Sequence, residues 1–96
     1  MTYEHIGIIL KEEFLEPFGL SYNSLARAIG VPANCIWQIV KGQRRITAQI
    51  DLRLCYYFGL SEGYFLRIQN SYDTLQAKQN IDLSKIYPLE RSINLV

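Results

Sequence analysis

Residues 21–41 read S-Y-N-S-L-A-R-A-I-G-V-P-A-N-C-I-W-Q-I-V-K, and the fold is decided in this stretch. Leu25 and Ile29 form one apolar stripe at helical spacing, and Ile36 and Ile39 form a second. Val31 lies between them, where it would plug the angle of two crossing helices. Ala26 is small at the position over which the second helix has to cross. Gly30 can take the positive φ that ends one helix and swings the chain into the next. Any one of these residues is common; the whole register in one window is a strong signal. It predicts two short helices joined by a tight turn, the helix-turn-helix arrangement by which proteins read DNA.

Working outward, the preceding segment predicts a helix from about Gly7 to Glu16, with Ile9, Leu10, Phe14 and Phe18 on its apolar side. Lys11, Glu12, Glu13 and Glu16 face out. Pro17 and Gly19 end it, because proline cannot continue the hydrogen-bond ladder. Ser21 or Asn23 caps the first helix of the motif, and Pro32 suits the first turn of the second, which runs to about Val40 and is closed by Gly42. The polar loop G-Q-R-R-I-T follows, with Ile46 as its anchor. Thr47 is a good N-cap for a fourth helix, Ala48 to Phe58, presenting Ile50, Leu54 and Phe58 on one face. Ser61 with Glu62 opens a fifth helix, carrying Tyr64, Phe65, Ile68, Tyr72 and Leu75 toward about Gln79.

The expected fold is therefore all-α, a five-helix domain resembling the phage-repressor type over residues 1–80, with a short tail at 81–96. Pro88 interrupts that tail, yet Ile81, Leu83, Ile86, Tyr87, Leu89, Ile93 and Leu95 keep it apolar. It either packs on the domain, joins a dimer interface, or orders on a partner.

The chain has 96 residues, enough for one modest core, and a net charge of +1, which argues against a bulk polyanion binder. The charge is unevenly placed: −3 over residues 1–20, +4 over residues 21–53 and zero thereafter. The positive excess falls on the helix-turn-helix and the segment after it. The two cysteines, Cys35 and Cys55, lie inside expected helices without metal-ligand spacing and read as reduced structural thiols, consistent with a cytoplasmic protein. No apolar run approaches membrane-spanning length, and no signal peptide opens the chain. The single histidine, His5, has no Cys or Ser partner in sequence, and neither a phosphate-cradling glycine loop nor a metal-ligand set is present. No enzyme, cofactor or metal is expected.

In the second helix of the motif, Ala33, Asn34, Trp37, Gln38 and Lys41 lie away from the Ile36/Ile39 stripe. Such a helix enters the major groove by its N-terminal part. Asn34 and Gln38 each offer a donor beside an acceptor, which suits adenine, and Ala33 suits a thymine methyl. Lys41, Arg44 and Arg45 suit phosphates, which position a protein without reading sequence. Tyr22 and Asn23, opening the first helix, are placed to bond the backbone on the other side. Plainer roles stand beside these. Asn34 is also suited to satisfying the helix start, Trp37 to packing on a loop, and Arg27 to a core-edge ion pair as readily as to phosphate. Tyr56, Tyr57, Tyr64 and Tyr72 suit core and rim packing, or in part an interface.

Several runs resemble one known family. Leu10 to Ser21 (L-K-E-E-F-L-E-P-F-G-L-S), Ala26 to Pro32 (A-R-A-I-G-V-P), Ile39 to Ala48 (I-V-K-G-Q-R-R-I-T-A), Leu52 to Gly59 (L-R-L-C-Y-Y-F-G) and Phe65 to Asp73 (F-L-R-I-Q-N-S-Y-D) are similar, in order, to HigA or VapI-type antitoxins. Two departures stand out. The family usually opens H-P-G-E-I-L where this chain has His5-Ile6-Gly7-Ile8-Ile9-Leu10, and it commonly carries Arg, Ser and Glu where Cys35, Trp37 and Gln38 stand here. The resemblance implies an antitoxin that neutralises a HigB-type RNA-cleaving toxin. It also implies a homodimer repressing its own operon at a palindromic operator, with half-sites roughly 34–36 Å apart. Operator sequence does not carry over. The alternative is a stand-alone helix-turn-helix regulator without a toxin.

Overall fold

In the computed structural model, which describes residues 5–89, the two apolar stripes of the central stretch bury each other. The helices are α1 (Ile6–Ile9, continued by a π-helical segment Leu10–Leu15), α2 (Tyr22–Ile29), α3 (Ala33–Val40), α4 (Ala48–Phe58) and α5 (Tyr64–Asn80). No strand occurs among the described residues. The α2–α3 pair is the most extensively packed, α1 lies against α3 and α5, and α4 bridges α2 and α5. Leu10, Leu25, Ile36, Ile39, Leu54 and Phe65 are fully enclosed where these elements meet, each burial contributing about 1.5–3 kcal/mol.

The turn of the motif forms as its sequence dictates. Ser21 caps α2 by accepting from the Ser24 N–H (3.0 Å), and the Ser24 hydroxyl answers by accepting from the Ser21 N–H (2.9 Å). Gly30 ends α2 with φ +77°, and the Arg53 side chain donates to the Ile29 carbonyl at 2.7 Å, placing a cation on the negative end of the helix. Ala26 is buried as the crossing demands. Pro32 is the N-cap of α3, one residue ahead of the helical turn expected for it, its ψ of 144° being extended.

Two differences from the sequence reading have clear causes. In α1 the ladder widens to an i→i+5 bond, Glu16 N–H to the Lys11 carbonyl (2.9 Å). A wider turn brings consecutive Phe14 and Leu15 inward together and carries Phe18 out, leaving it 64% exposed and leaning on Phe58. The second difference is the start of α5, which begins at Tyr64 after Gly63 and not at Ser61 with Glu62. Its N-terminus is held from α4. Asp51, buried, accepts from the N–H groups of Gly63 (2.7 Å), Phe65 (2.9 Å) and Leu66 (3.2 Å). A carboxylate on three otherwise unpaired helix-start donors is favourable both as hydrogen bonding and against the helix dipole. Leu75, expected on the apolar side of α5, is 56% exposed.

Gly7 fixes how α1 meets α3. A Cβ there would stand 2.0 Å from the Ile39 carbonyl oxygen and 2.8 Å from the Val40 Cα, so only glycine permits this approach. After Asn80 the chain leaves the helix and makes one turn, the Ile86 N–H donating to the Leu83 carbonyl at 3.0 Å, and Ile81, Leu83, Ile86, Tyr87 and Leu89 are all exposed. Residues 81–89 thus add no side chain to the buried core, while Ile93 and Leu95 lie outside the described residues.

Candidate nucleic-acid interface

The residues that the apolar stripes leave over converge on one surface around α3. Asn34, Trp37 and Lys41 are exposed, with Ala33 and Gln38 half-buried at its edge. Ile36 and Ile39, fully buried on the other side, clamp α3 to α2 and so fix which way this surface faces. Tyr22 (half-buried) and Asn23 (exposed) stand in the first turn of α2. Pro32, the N-cap of α3, makes no side-chain cap bond, and Asn34 stands exposed in the first turn. Lys41 Nζ lies 6.0 Å from the centre of the Trp37 ring, a contact at the outer range of cation–π attraction.

The loop after α3 is less free than its polar sequence suggests. Gln69, buried in α5, accepts from the Ile46 N–H (2.7 Å) and donates its amide N–H to the Ile46 carbonyl (2.9 Å). This pair satisfies both backbone groups of Ile46 in the way a neighbouring strand would. His5 Nδ1 caps the start of α1 by accepting from the Gly7 N–H (3.0 Å), and the His5 ring packs over Gly42 at the loop's entry. Arg44 and Arg45 are therefore presented from a loop tied down at both ends. Each also has a partner. Arg45 forms an ion pair with Asp73 on α5. Arg44 Nε donates to Gln38 Oε1 (2.9 Å), and its Nη1 reaches the Cys35 sulfur at 3.6 Å. Gln38 thus does not offer the free donor and acceptor that its sequence position suggests. The ion pairs among the described residues are Arg45–Asp73 and Lys11–Glu16, so Arg27 is exposed without one.

Asp51, Gln69 and Arg53 were not legible as site-forming residues, because each acts on a segment 12 or more positions away. The tyrosines divide. Tyr64 packs in the aromatic cluster with Phe14 and Phe65, and Tyr72 is half-buried, whereas Tyr56 is 92% exposed and Tyr57 45%. Both cysteines are buried free thiols. Burial pushes the Cys55 thiol pKa up, and the neighbouring Asp51 carboxylate adds to the rise. No group of three or more His, Cys, Asp or Glu side chains among the described residues is arranged to hold a metal ion, and no described helix is long and apolar enough to cross a membrane.

An all-helical domain whose two central helices cross at a glycine turn, with an exposed polar face on the second, defines the helix-turn-helix class of the phage-repressor kind. No family model matches the chain. Its relatives and structural neighbours nevertheless agree. It is 41% identical to virulence-associated protein I of Dichelobacter nodosus, over 96% of this chain and 77% of that protein. It is 35% identical to antitoxin HigA-1 of Vibrio cholerae, over 71% of this chain and 64% of that protein. Among solved structures, it superposes with a TM-score of 0.84 on a Pseudomonas aeruginosa protein in complex with its operator DNA, at 36% identity over 93% of this chain and 99% of that one. A second is the Pseudomonas aeruginosa antitoxin HigA with the higBA promoter, at a TM-score of 0.81 and 34% identity over 93% of this chain and all of that one. The chain belongs to the HigA antitoxin family of helix-turn-helix proteins. That family is one of antitoxins and transcriptional regulators, and the chain is not an enzyme.

Proposed function

We propose that this chain is an antitoxin that neutralises a HigB-type RNA-cleaving toxin and, as a homodimer, represses its own operon at a palindromic site in the cytoplasm. The observation that carries the DNA half is the polar surface of α3, held outward by buried Ile36 and Ile39 and flanked by the tethered Arg44–Arg45 loop. Asn34 and Gln38 face base edges, Ala33 a thymine methyl, and Trp37 the sugar-phosphate rim. Lys41 and Arg45 approach phosphates, with Arg44 beside them, and Tyr22 and Asn23 bond the backbone across the groove. Arg45 exchanges Asp73 for phosphate at small cost, since its ion pair is solvent-exposed. Support for the toxin half is the family, with relatives named as antitoxins. The domain spans residues 1–80, and the apolar 81–96 tail serves the dimer or partner interface, a reading supported by the exposure of Ile81, Leu83, Ile86, Tyr87 and Leu89.

Co-purification with the product of the neighbouring reading frame, followed by a mobility-shift assay on the shared promoter, tests both halves. A stable complex that also retards the promoter is expected. Promoter retardation by the chain with no co-purifying partner would leave the second reading, a stand-alone regulator.

A further inference from the structure

Gln38 and Arg44 stand six positions apart yet form one unit on the face of α3. A guanidinium carries donors only, so the Gln38 atom 2.9 Å from Arg44 Nε is the carbonyl oxygen, and the amide orientation follows from chemistry. The second anchor, Nη1 near the Cys35 sulfur at 3.6 Å, ties the same guanidinium to the first turn of α3. With one of the two lone pairs of Oε1 taken by Arg44, the pair offers the Gln38 amide N–H groups, the remaining guanidinium N–H groups and a single lone pair beside a bound cation. Donors outnumber that acceptor, and the positive charge beside it disfavours a further N–H there.

We propose that Gln38 and Arg44 act together as a donor-rich, positively charged reader that selects guanine over adenine at the base pair beneath Gln38. In the major groove guanine presents two acceptors, N7 and O6, whereas adenine presents N7 beside its N6 amino donor. A free glutamine matches adenine because it brings one donor and one acceptor. Here an adenine amino group approaching Oε1 meets the guanidinium already bonded there, N–H against N–H. Guanine, with two acceptors, meets the donors of the pair without that conflict. The inference rests on the reading of α3 as the DNA-contacting helix and changes the part Arg44 plays in it: Arg44 positions Gln38 and reads with it, while Lys41 and Arg45 hold phosphates.

The test is selection from a pool of duplexes with a randomised centre, using the full chain and its Gln38→Ala and Arg44→Ala variants at one salt concentration. Neither side chain is buried in the core, and circular dichroism of each variant confirms its fold. Wild type should enrich guanine at the position whose preference Gln38→Ala erases, by at least about five-fold in relative affinity. Arg44→Ala should turn that same position toward adenine, since Oε1 then accepts without a cation beside it. Adenine at that position in the wild-type consensus would overturn the inference. So would an Arg44→Ala variant that loses affinity evenly and keeps the wild-type base. In both cases a sequence preference survives and the DNA-reading function stands. A wild-type chain that enriches no sequence would sink the two together.

Discussion

Replacing Gln69 by leucine removes the one side chain that pairs with both backbone groups of Ile46, while keeping its volume and burial nearly unchanged. The Ile46 N–H and carbonyl, bonded at 2.7 and 2.9 Å in the native fold, would be left without partners in a site closed to water. Each buried group left unsatisfied costs about 1–3 kcal/mol, and partial relaxation of the loop recovers some of it, so a net loss of about 2–4 kcal/mol is expected. For a domain of this size that corresponds to a fall in Tm on the order of 10–20 °C. Urea unfolding gives the free energy, and hydrogen exchange at the Ile46 amide gives the local effect, which should exceed that at Leu54 in α4. Because the loop also carries Arg44 and Arg45, DNA affinity should fall in the same variant at temperatures where it remains folded. A Gln69→Leu protein that unfolds within about 0.5 kcal/mol of wild type, with Ile46 exchange unaltered, would refute the claim that this side chain tethers the loop.

Asp51→Asn should destabilise by about 2–3 kcal/mol in the same unfolding assay, because the amide brings an N–H toward the donors of Gly63, Phe65 and Leu66. Gly7→Ala should cost at least about 3 kcal/mol by chemical denaturation, as the added methyl meets the backbone of α3, and the roughly 1 kcal/mol gain in helix propensity does not offset that clash. The raised pKa of Cys55 makes the folded chain keep a thiol proton that the unfolded chain gives up near its ordinary value of 9.0. Stability from this group is fully present below that pH and falls as pH rises above it toward the folded value. Unfolding free energies of wild type and Cys55→Ala measured across pH 8 to 10 should therefore show the wild type declining more steeply; parallel curves would contradict it.

The helix-turn-helix was legible because its determinants are local. Leu25, Ile29, Ile36 and Ile39 report periodicity, and Gly30 reports the turn. The limits of α4 were legible for the same reason, with Thr47 ahead of it and Gly59 behind. What sequence could not show is carried by polar contacts between distant segments. Ser61 and Glu62 look like a helix start, but the donors of α5 are satisfied by Asp51, which on its own reads as an ordinary acid in the first turn of α4. Gln69 looks like a surface residue of α5 until Ile46 is placed against it. The π-helical segment of α1 has no pattern of its own and shows only in the burial of adjacent Phe14 and Leu15. At the candidate interface, periodicity identified which side chains of α3 face out. The pairing of Gln38 with Arg44 crosses the end of the helix, where helical spacing no longer determines which residues meet.

Sequence-specific reading of DNA by the exposed face of α3 can be measured directly. Fluorescence anisotropy would compare the duplex upstream of the chain's own reading frame with a shuffled duplex of equal length and composition, across a salt series. A preference of about 10³-fold or more for the native duplex is expected at physiological salt. Salt should weaken both complexes, and Gln38→Ala should remove part of the preference. Equal affinity for the two duplexes at every salt concentration would contradict it.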